Sequence, residues 1–241
     1  MPSPRDFGPE YSPKYQSHIT NSLNRIKSCA RDNNTLEAAR ATISTMKLIL
    51  ASTSPYRKEL LQRLKVEFTC IPSEVDETPK SGETVEELVV RLSELKALAV
   101  ADQLSSQDEG ALIIGSDQSA TLNGNMLNKP GNFDNAFKQL KAASGKRIEF
   151  KTGLCLLNTL TKKTQIACIP YTVVFKNLSD SVIESYLKKE EPYNCAGSFK
   201  SEGLGVVLFE RFEGSDPSSL IGLPLIKLTE FLEQEEFGLL D

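Results

Sequence analysis

The sequence predicts an α/β fold with a mixed β-sheet and flanking helices. Two features carry that prediction. From Met46 onward, short apolar runs alternate with segments whose apolar residues recur at helical spacing. Two of the runs, near 146–158 and 165–176, are joined only by a polar turn and read as an antiparallel pair, which a purely parallel sheet would not contain.

The elements follow in order. Residues 47–51 read as a strand and 55–64 as a helix with Pro55 at its first position. A strand is expected near 66–71. Residues 84–104 read as a long helix, opened by the capping box Thr84-x-x-Glu87. The apolar run 111-ALIIGSDQ-118 is a strand, and 132–143 is a helix. After the antiparallel pair, Ser179-Asp180 starts another helix. A Gly- and Ser-rich loop, 195-CAGSFKSEG-203, precedes a strand expected over 205–211, and a final helix follows 222-GLPL-225.

Residues 1–45 differ in kind. They are rich in Ser, Pro, Asn, Arg and Thr, their few Ile and Leu residues are dispersed, and six basic residues face four acidic ones. They are expected to form a disordered extension, with a short helix allowed in 35-TLEAARATI-43, ahead of one folded domain over 46–241. No apolar segment resembles a secretory signal, and Asp6, Glu10, Asp32 and Glu37 argue against a mitochondrial presequence.

Composition excludes several classes. The net charge of −4 gives no basis for non-specific binding to nucleic acid or to a membrane surface, and no apolar run reaches membrane-spanning length. The cysteines are five, an odd number, scattered and without a Cys-x-x-Cys pair; free thiols in a reducing, cytoplasmic setting are expected. The one histidine, His18, lies in the extension. Histidine-based nucleophilic catalysis and histidine metal sites are therefore excluded from the folded part. Acid–base chemistry must come from Asp, Glu, Lys, Tyr or Cys. A metal would be held mainly by oxygen, which suits magnesium or manganese.

Four stretches carry candidate chemistry. In 52-STSPYR-57 a strand-to-helix turn has Arg57 in the first helical turn, where a carboxylate is the usual choice. Either Arg57 is a solvated residue on an ordinary capped helix, or it shares the helix start with a bound phosphate. In 74-EVDE-77, Glu74 and Asp76 would share a side if the chain stays extended and could hold a hard cation; otherwise the segment is a solvated acidic loop. In 112-LIIGSDQ-118, Asp117 stands at the end of an apolar strand, where open α/β sheets bind ligands. It could bind metal, take a proton from water, or cap a turn. Lys129 in 128-NKPG-131 and Lys96 in the long helix are candidate phosphate contacts. Arg57, Lys96 and Lys129 facing Glu74, Asp76 and Asp117 describe a metal-assisted phosphoryl site.

STSPYR, EVDE, GSDQ, NKPG, CAGSFKSEG and GLPL, in this order and spacing, resemble the Maf-like nucleotide pyrophosphatases from about Met46 to the last helix. The resemblance implies two lobes around a deep cleft, as in inosine-triphosphate pyrophosphatases. It also implies hydrolysis of a nucleoside triphosphate to the monophosphate and diphosphate, with a divalent cation (Mg, Mn or Co). Asp117 takes the place of the proton acceptor. Ser52, Arg57, Glu74, Lys96 and Lys129 take phosphate and metal positions, with Glu74 and Asp117 as the metal candidates. A homodimer is also implied.

Within that resemblance three positions separate a branch acting on dTTP and UTP from one acting on 7-methyl-GTP. They fall on Tyr56, Gln118 and Glu202. The pyrimidine branch has Arg, Thr and Gln there, and the 7-methyl-GTP branch has Trp, Gln and Glu; Tyr56 departs from Trp but keeps an aromatic ring. N7-methylation makes guanine cationic, and an aromatic face attracts a cation by about 0.5–2 kcal/mol. A carboxylate can accept both neighbouring N–H donors of the guanine edge, whereas an amide offers one acceptor oxygen. The expectation is a 7-methyl-GTP pyrophosphatase. The alternatives are the same chemistry on dTTP or UTP, or a nucleotide-binding regulator of septum formation with little turnover.

Overall fold

The computed structural model describes residues 46–104 and 110–240. The expected extension over 1–45, and the short helix allowed within 35–43, lie outside them.

Strand β1 (Lys47–Leu50) leads into helix α1 (Pro55–Gln62), then β2 (Thr69–Cys70) and the long helix α2 (Val85–Ala101). Strand β3 (Ala111–Leu122), β4 (Asn125–Leu127) and helix α3 (Phe133–Ala143) follow. Next come β5 (Arg147–Asn158), β6 (Lys163–Phe175) and helix α4 (Asp180–Glu190). The chain closes with β7 (Phe209–Gly214) and helix α5 (Leu225–Gln234). The sheet runs β2-β1-β3-β5-β6-β7, with β4 paired to β3. β1 is parallel to β2 and β3, and the other pairings are antiparallel. The mixed sheet expected from the sequence is present.

Period-two alternation explains how the layers assemble. Leu48, Leu50, Leu112, Ile114, Leu154 and Leu156 face α1 and α5, packing on Leu60, Leu61, Leu228 and Leu232. Ile49, Ile113, Cys155 and Leu157 face the opposite way, onto Ala97 and Val100 of α2. Both faces are covered, which is why β1 and the start of β3 read as continuous apolar runs. Leu60 and Leu61 are fully buried, so truncating either to Ala should cost about 2–5 kcal/mol.

β3, β5 and β6 are 12, 12 and 13 residues long and run on into a third core. There Ala120, Ile148, Phe150, Tyr171, Val173 and Phe175 pack against Leu140 of α3 and Ile183, Tyr186 and Leu187 of α4. The sheet thus carries a core on each face at one end and a third core at the other. Between them, in β3, comes the polar stretch Ser116-Asp117-Gln118.

Two glycines let α2 lie close on the sheet. A Cβ at Gly115 would stand 2.0 Å from the Ser93 carbonyl oxygen, and one at Gly153 would stand 2.1 Å from that of Val89. Gly153 is the cross-strand partner of Asp117. The helix backbone therefore approaches at the level of Asp117.

Some expectations shift. The strand expected near 66–71 shrinks to Thr69–Cys70, because only those residues pair with β1. The strand expected over 205–211 is instead 209–214, since Leu204–Leu208 winds into 3₁₀ turns. Tight folding of the preceding loop causes this: the Gly205 N–H donates to the Lys200 carbonyl (3.1 Å), whose oxygen would lie 2.2 Å from a Cβ at Gly205. β4 was not expected. It returns from β3 through Asn123 and Gly124, both in the left-handed region (φ 52° and 79°), as a tight hairpin requires.

Candidate active site

The expected site residues converge on one cavity of about 890 Å³, within the usual size of a small-molecule site. Ser52, Tyr56, Arg57, Glu74, Lys96, Asp117, Gln118, Lys129 and Glu202 all line it.

The turn after β1 brings hydroxyls, backbone N–H groups and a guanidinium to the cavity. Ser54 caps α1, its Oγ accepting from the Arg57 N–H at 3.4 Å, and Ser52 Oγ accepts from the Ser54 N–H at 3.1 Å. The N–H groups of Thr53 and Tyr56 have no partner among the described residues. α1 has no acidic residue in its first turn, so its positive end is left uncompensated. The half-buried Arg57 donates from Nε to the Gly222 carbonyl at 2.8 Å, which aims the guanidinium and leaves its Nη groups unspent. Burial lowers its pKa from the ordinary arginine value, and Asp117 and Glu77 work against that shift.

The carbonyl of Gly222 also accepts from Ser116 Oγ at 2.9 Å. Gly222 has φ 118°, a conformation L side chains rarely adopt. The segment 222-GLPL-225, to which the sequence assigned no site residue, thereby orients Arg57.

At the other side of the turn, Lys96 Nζ lies 2.7 Å from Asp117 Oδ1 and 2.6 Å from Glu77 Oε1. Lys96 and Asp117 are buried, and the Glu77 side chain is 60% exposed at the mouth. Burial raises the Glu77 pKa, but Lys96, Arg57 and Lys129 outweigh it and leave the carboxyl below its ordinary value. Glu77 is a cavity carboxylate to which sequence reasoning gave no role. Glu74 and Asp76 were expected to share a side, but the chain beyond Cys70 is not a strand. Asp76 is exposed and accepts from the Thr78 N–H at 2.9 Å, while Glu74 and Glu77 line the cavity. The exposed Lys129 makes no ion pair among the described residues.

The acidic loop is clamped to α2. Arg91 donates to both oxygens of Glu83, from Nε at 2.5 Å and Nη2 at 2.8 Å, and to the Thr78 carbonyl at 3.2 Å. Hydrogen bonds from Arg91 and from the Lys80 N–H hold the Glu83 pKa down at about 2.

Gln118 faces the segment after β7. Its Nε2 donates to the carbonyls of Ser219 (2.6 Å) and Leu220 (3.1 Å) and to Thr152 Oγ1 (3.1 Å). With the nitrogen fixed by three acceptors, the Gln118 amide has only its oxygen left to offer a ligand. Tyr56 lies beside Cys195; burial and that thiol raise the pKa of its hydroxyl, so it stays a neutral phenol. Glu202 is exposed on the loop opposite, accepting from Ser201 Oγ at 3.2 Å. Phe150, Phe199, Leu220 and Ile221 add apolar walls. The cavity thus offers cationic groups at Arg57 and Lys96 and an aromatic ring with a carboxylate at Tyr56 and Glu202.

A metal would find oxygen donors here but few of them. Among the described residues, no three of His, Cys, Asp and Glu come together as a metal-binding group. Two carboxylates completed by substrate phosphates and water is nevertheless the usual way magnesium is held, so the donor set fits.

The family model described as Maf-like protein matches residues 47–235. A 7-methyl-GTP pyrophosphatase of Alcanivorax borkumensis is 53% identical over 194 residues, spanning 80% of this chain and 96% of the relative. Another, of Pseudomonas aeruginosa, is 51% identical over 188 residues, spanning 78% and 96%. Among solved structures, the Ham1 protein of Staphylococcus aureus aligns with a TM-score of 0.45 and 15% identity, over 78% of this chain and 99% of that one.

Proposed function

The chain belongs to the Maf-like family, and from that premise we propose that it hydrolyses 7-methyl-GTP to 7-methyl-GMP and diphosphate, clearing a modified nucleotide from the pool. The single observation that carries this reading is the cavity itself. A guanidinium, an ammonium and a buried carboxylate share it with the aromatic ring of Tyr56 and the carboxylate of Glu202. The names of relatives at 51–53% identity support the same substrate.

In this reading the triphosphate lies against the start of α1. The free N–H groups of Thr53 and Tyr56, Ser52, Arg57 and Lys129 bind its oxygens. Charge that develops on the departing diphosphate is met by Arg57 and the lysines, held in place before the reaction. Asp117 orients a water toward the α-phosphorus and accepts its proton. The Asp117 Oδ2 is the oxygen available for this, since Oδ1 is held by Lys96. Asp117 with Glu77 or Glu74 would hold a divalent cation (Mg, Mn or Co), which would supply further charge neutralisation on the phosphates. The base lies between Tyr56 and Glu202, with the Gln118 oxygen as an added acceptor. The uncrosslinked thiols among the described residues agree with action in the cytoplasm, and a homodimer is part of the same proposal.

The test is a panel of 7-methyl-GTP, GTP, dTTP and UTP with magnesium, manganese or cobalt, scored for diphosphate release. The highest kcat/KM is expected on 7-methyl-GTP. A preference for dTTP or UTP would overturn the base assignment, and no release from any nucleotide would overturn the reaction.

A further inference from the structure

The turn that presents Glu202 is built around a carboxylate on another element. Glu190 is the last residue of α4, where Glu191 turns into the left-handed region (φ 47°). Its Oε2 accepts from the Leu204 N–H at 2.8 Å, and its Oε1 pairs with Lys200 Nζ at 3.1 Å. The same ammonium donates to the Glu190 main-chain carbonyl at 3.1 Å, satisfying one of the helix-end oxygens. The Lys200 N–H donates to the Tyr186 hydroxyl, also on α4, at 3.1 Å. A Cβ at Gly203 would come within 3.0 Å of Glu190 Oε2, so the turn closes tightly on that group. Glu202 lies inside this span. Among the described residues it accepts one hydrogen bond, from Ser201 Oγ, which leaves the carboxylate open at the cavity.

We propose that Glu190 is a positioning residue for base recognition: it anchors the 200–204 turn and keeps the Lys200 ammonium occupied, so that the Glu202 carboxylate stays free to accept from the base. The inference rests on the assignment of Glu202 made above. Lys200 stands two residues before Glu202. Released from Glu190, it has Glu202 as the carboxylate on its own turn, and an ion pair there would consume the acceptor that reads the base. Glu190 does not line the cavity, so it acts only through the turn.

The experiment measures kcat/KM on 7-methyl-GTP, GTP and UTP for wild type, Glu190→Gln, Lys200→Met and the double variant. In Glu190→Gln the amide can still accept from the Leu204 N–H, but Lys200 loses its ionic partner. The preference for 7-methyl-GTP over UTP is expected to fall about tenfold, the scale of one hydrogen bond to a charged group. Adding Lys200→Met is expected to restore it, because no ammonium remains to capture Glu202. A purely structural Glu190 would not give that rescue. A ratio unchanged within about twofold in Glu190→Gln, or no recovery in the double variant, overturns the proposal. If Glu190→Gln does not fold, Glu190→Asp, which retracts the charge by one methylene, is read by the same criteria. If wild type prefers another base, the 7-methyl-GTP assignment fails alone, and Glu190 is judged on loss and rescue of that other preference. If wild type does not discriminate among the three, both fail.

Discussion

Lys96 Nζ bridges Glu77 Oε1 and Asp117 Oδ1, at 2.6 and 2.7 Å, and so joins a helix, a loop and a strand at one point. Lys96 and Asp117 are buried, and removing one member of a buried charge pair leaves the other uncompensated, which is costly. Lys96→Met should destabilise the fold less than it damages turnover, because Asp117 then loses the cation that fixes its Oδ1. A loss of at least about a hundredfold in kcat is expected, the scale of one preorganised charge. Steady-state kinetics beside a thermal melt separates the two effects.

Asp117→Asn keeps size and shape but cannot accept a proton. Turnover should be abolished in a chain that folds normally. Retention of most of the wild-type kcat would remove Asp117 from the mechanism.

Gly115→Ala should fail for a steric reason. Its Cβ would stand 2.0 Å from the Ser93 oxygen and 3.0 Å from the Ala97 nitrogen, and both are backbone atoms that cannot rotate away. Overpacking of this kind costs about 1–3 kcal/mol or more. The variant is expected to melt several degrees lower and to lose activity as α2 lifts Lys96 from Asp117. An unchanged melting temperature would contradict the close approach.

Glu202→Gln should lower kcat/KM on 7-methyl-GTP roughly tenfold or more, since hydrogen bonds to charged groups contribute about 1.5–3 kcal/mol. Activity on dTTP or UTP should fall less or rise. Tyr56→Ala should add to the purine defect by removing the ring face. An equal drop on all nucleotides would mean that Glu202 does not read the base.

The Arg91–Glu83 clamp predicts a pH dependence. The Glu83 pKa is depressed from 4.5 to about 2 in the folded protein. Its stabilising contribution is therefore complete above the unfolded value and is lost as pH falls toward 2. The melting-temperature gap between wild type and Glu83→Gln should be constant at neutral pH, shrink below about 4.5 and close near 2. A gap that persists at the acid end would refute the clamp.

A chain beginning at Met46 should fold and hydrolyse nucleotide, because every residue of the cavity and of the three described cores lies at or beyond it. Insolubility or loss of activity would place residues 1–45 within the fold.

Asp117, Lys96 and Arg57 were legible because regular elements carry them: the close of an apolar run, a helix face and a helix start each impose a direction that sequence spacing reveals, although the strand expected to end at Gln118 runs on to Leu122 and leaves Asp117 in its middle. The helices and the long antiparallel pair were legible for the same reason. Glu77 was not, because the loop after Cys70 has no period from which to tell its side from that of Asp76. Glu190 resembled any carboxylate near a helix end, and its role depends on a turn that begins ten residues later. β4 did leave a signal, since Asn123-Gly124 is a strong hairpin pair. The strand placed at 205–211 failed because Leu204–Leu208 is apolar enough to read as extended, while close contacts with Lys200 wind it into 3₁₀ turns.

The carbonyl of Gly222 holds Arg57 across 165 positions of sequence. That distance has a consequence for the ribosome. A nascent chain will have completed β1, α1 and even Asp117 long before residue 222 emerges from the exit tunnel. Until then the guanidinium has no anchor, and the cavity lacks its wall at Leu220 and Ile221. Competence for hydrolysis should therefore appear as a late, single step of synthesis rather than growing with chain length. Chains released before the GLPL segment should be inert toward nucleotides however well their N-terminal half has formed.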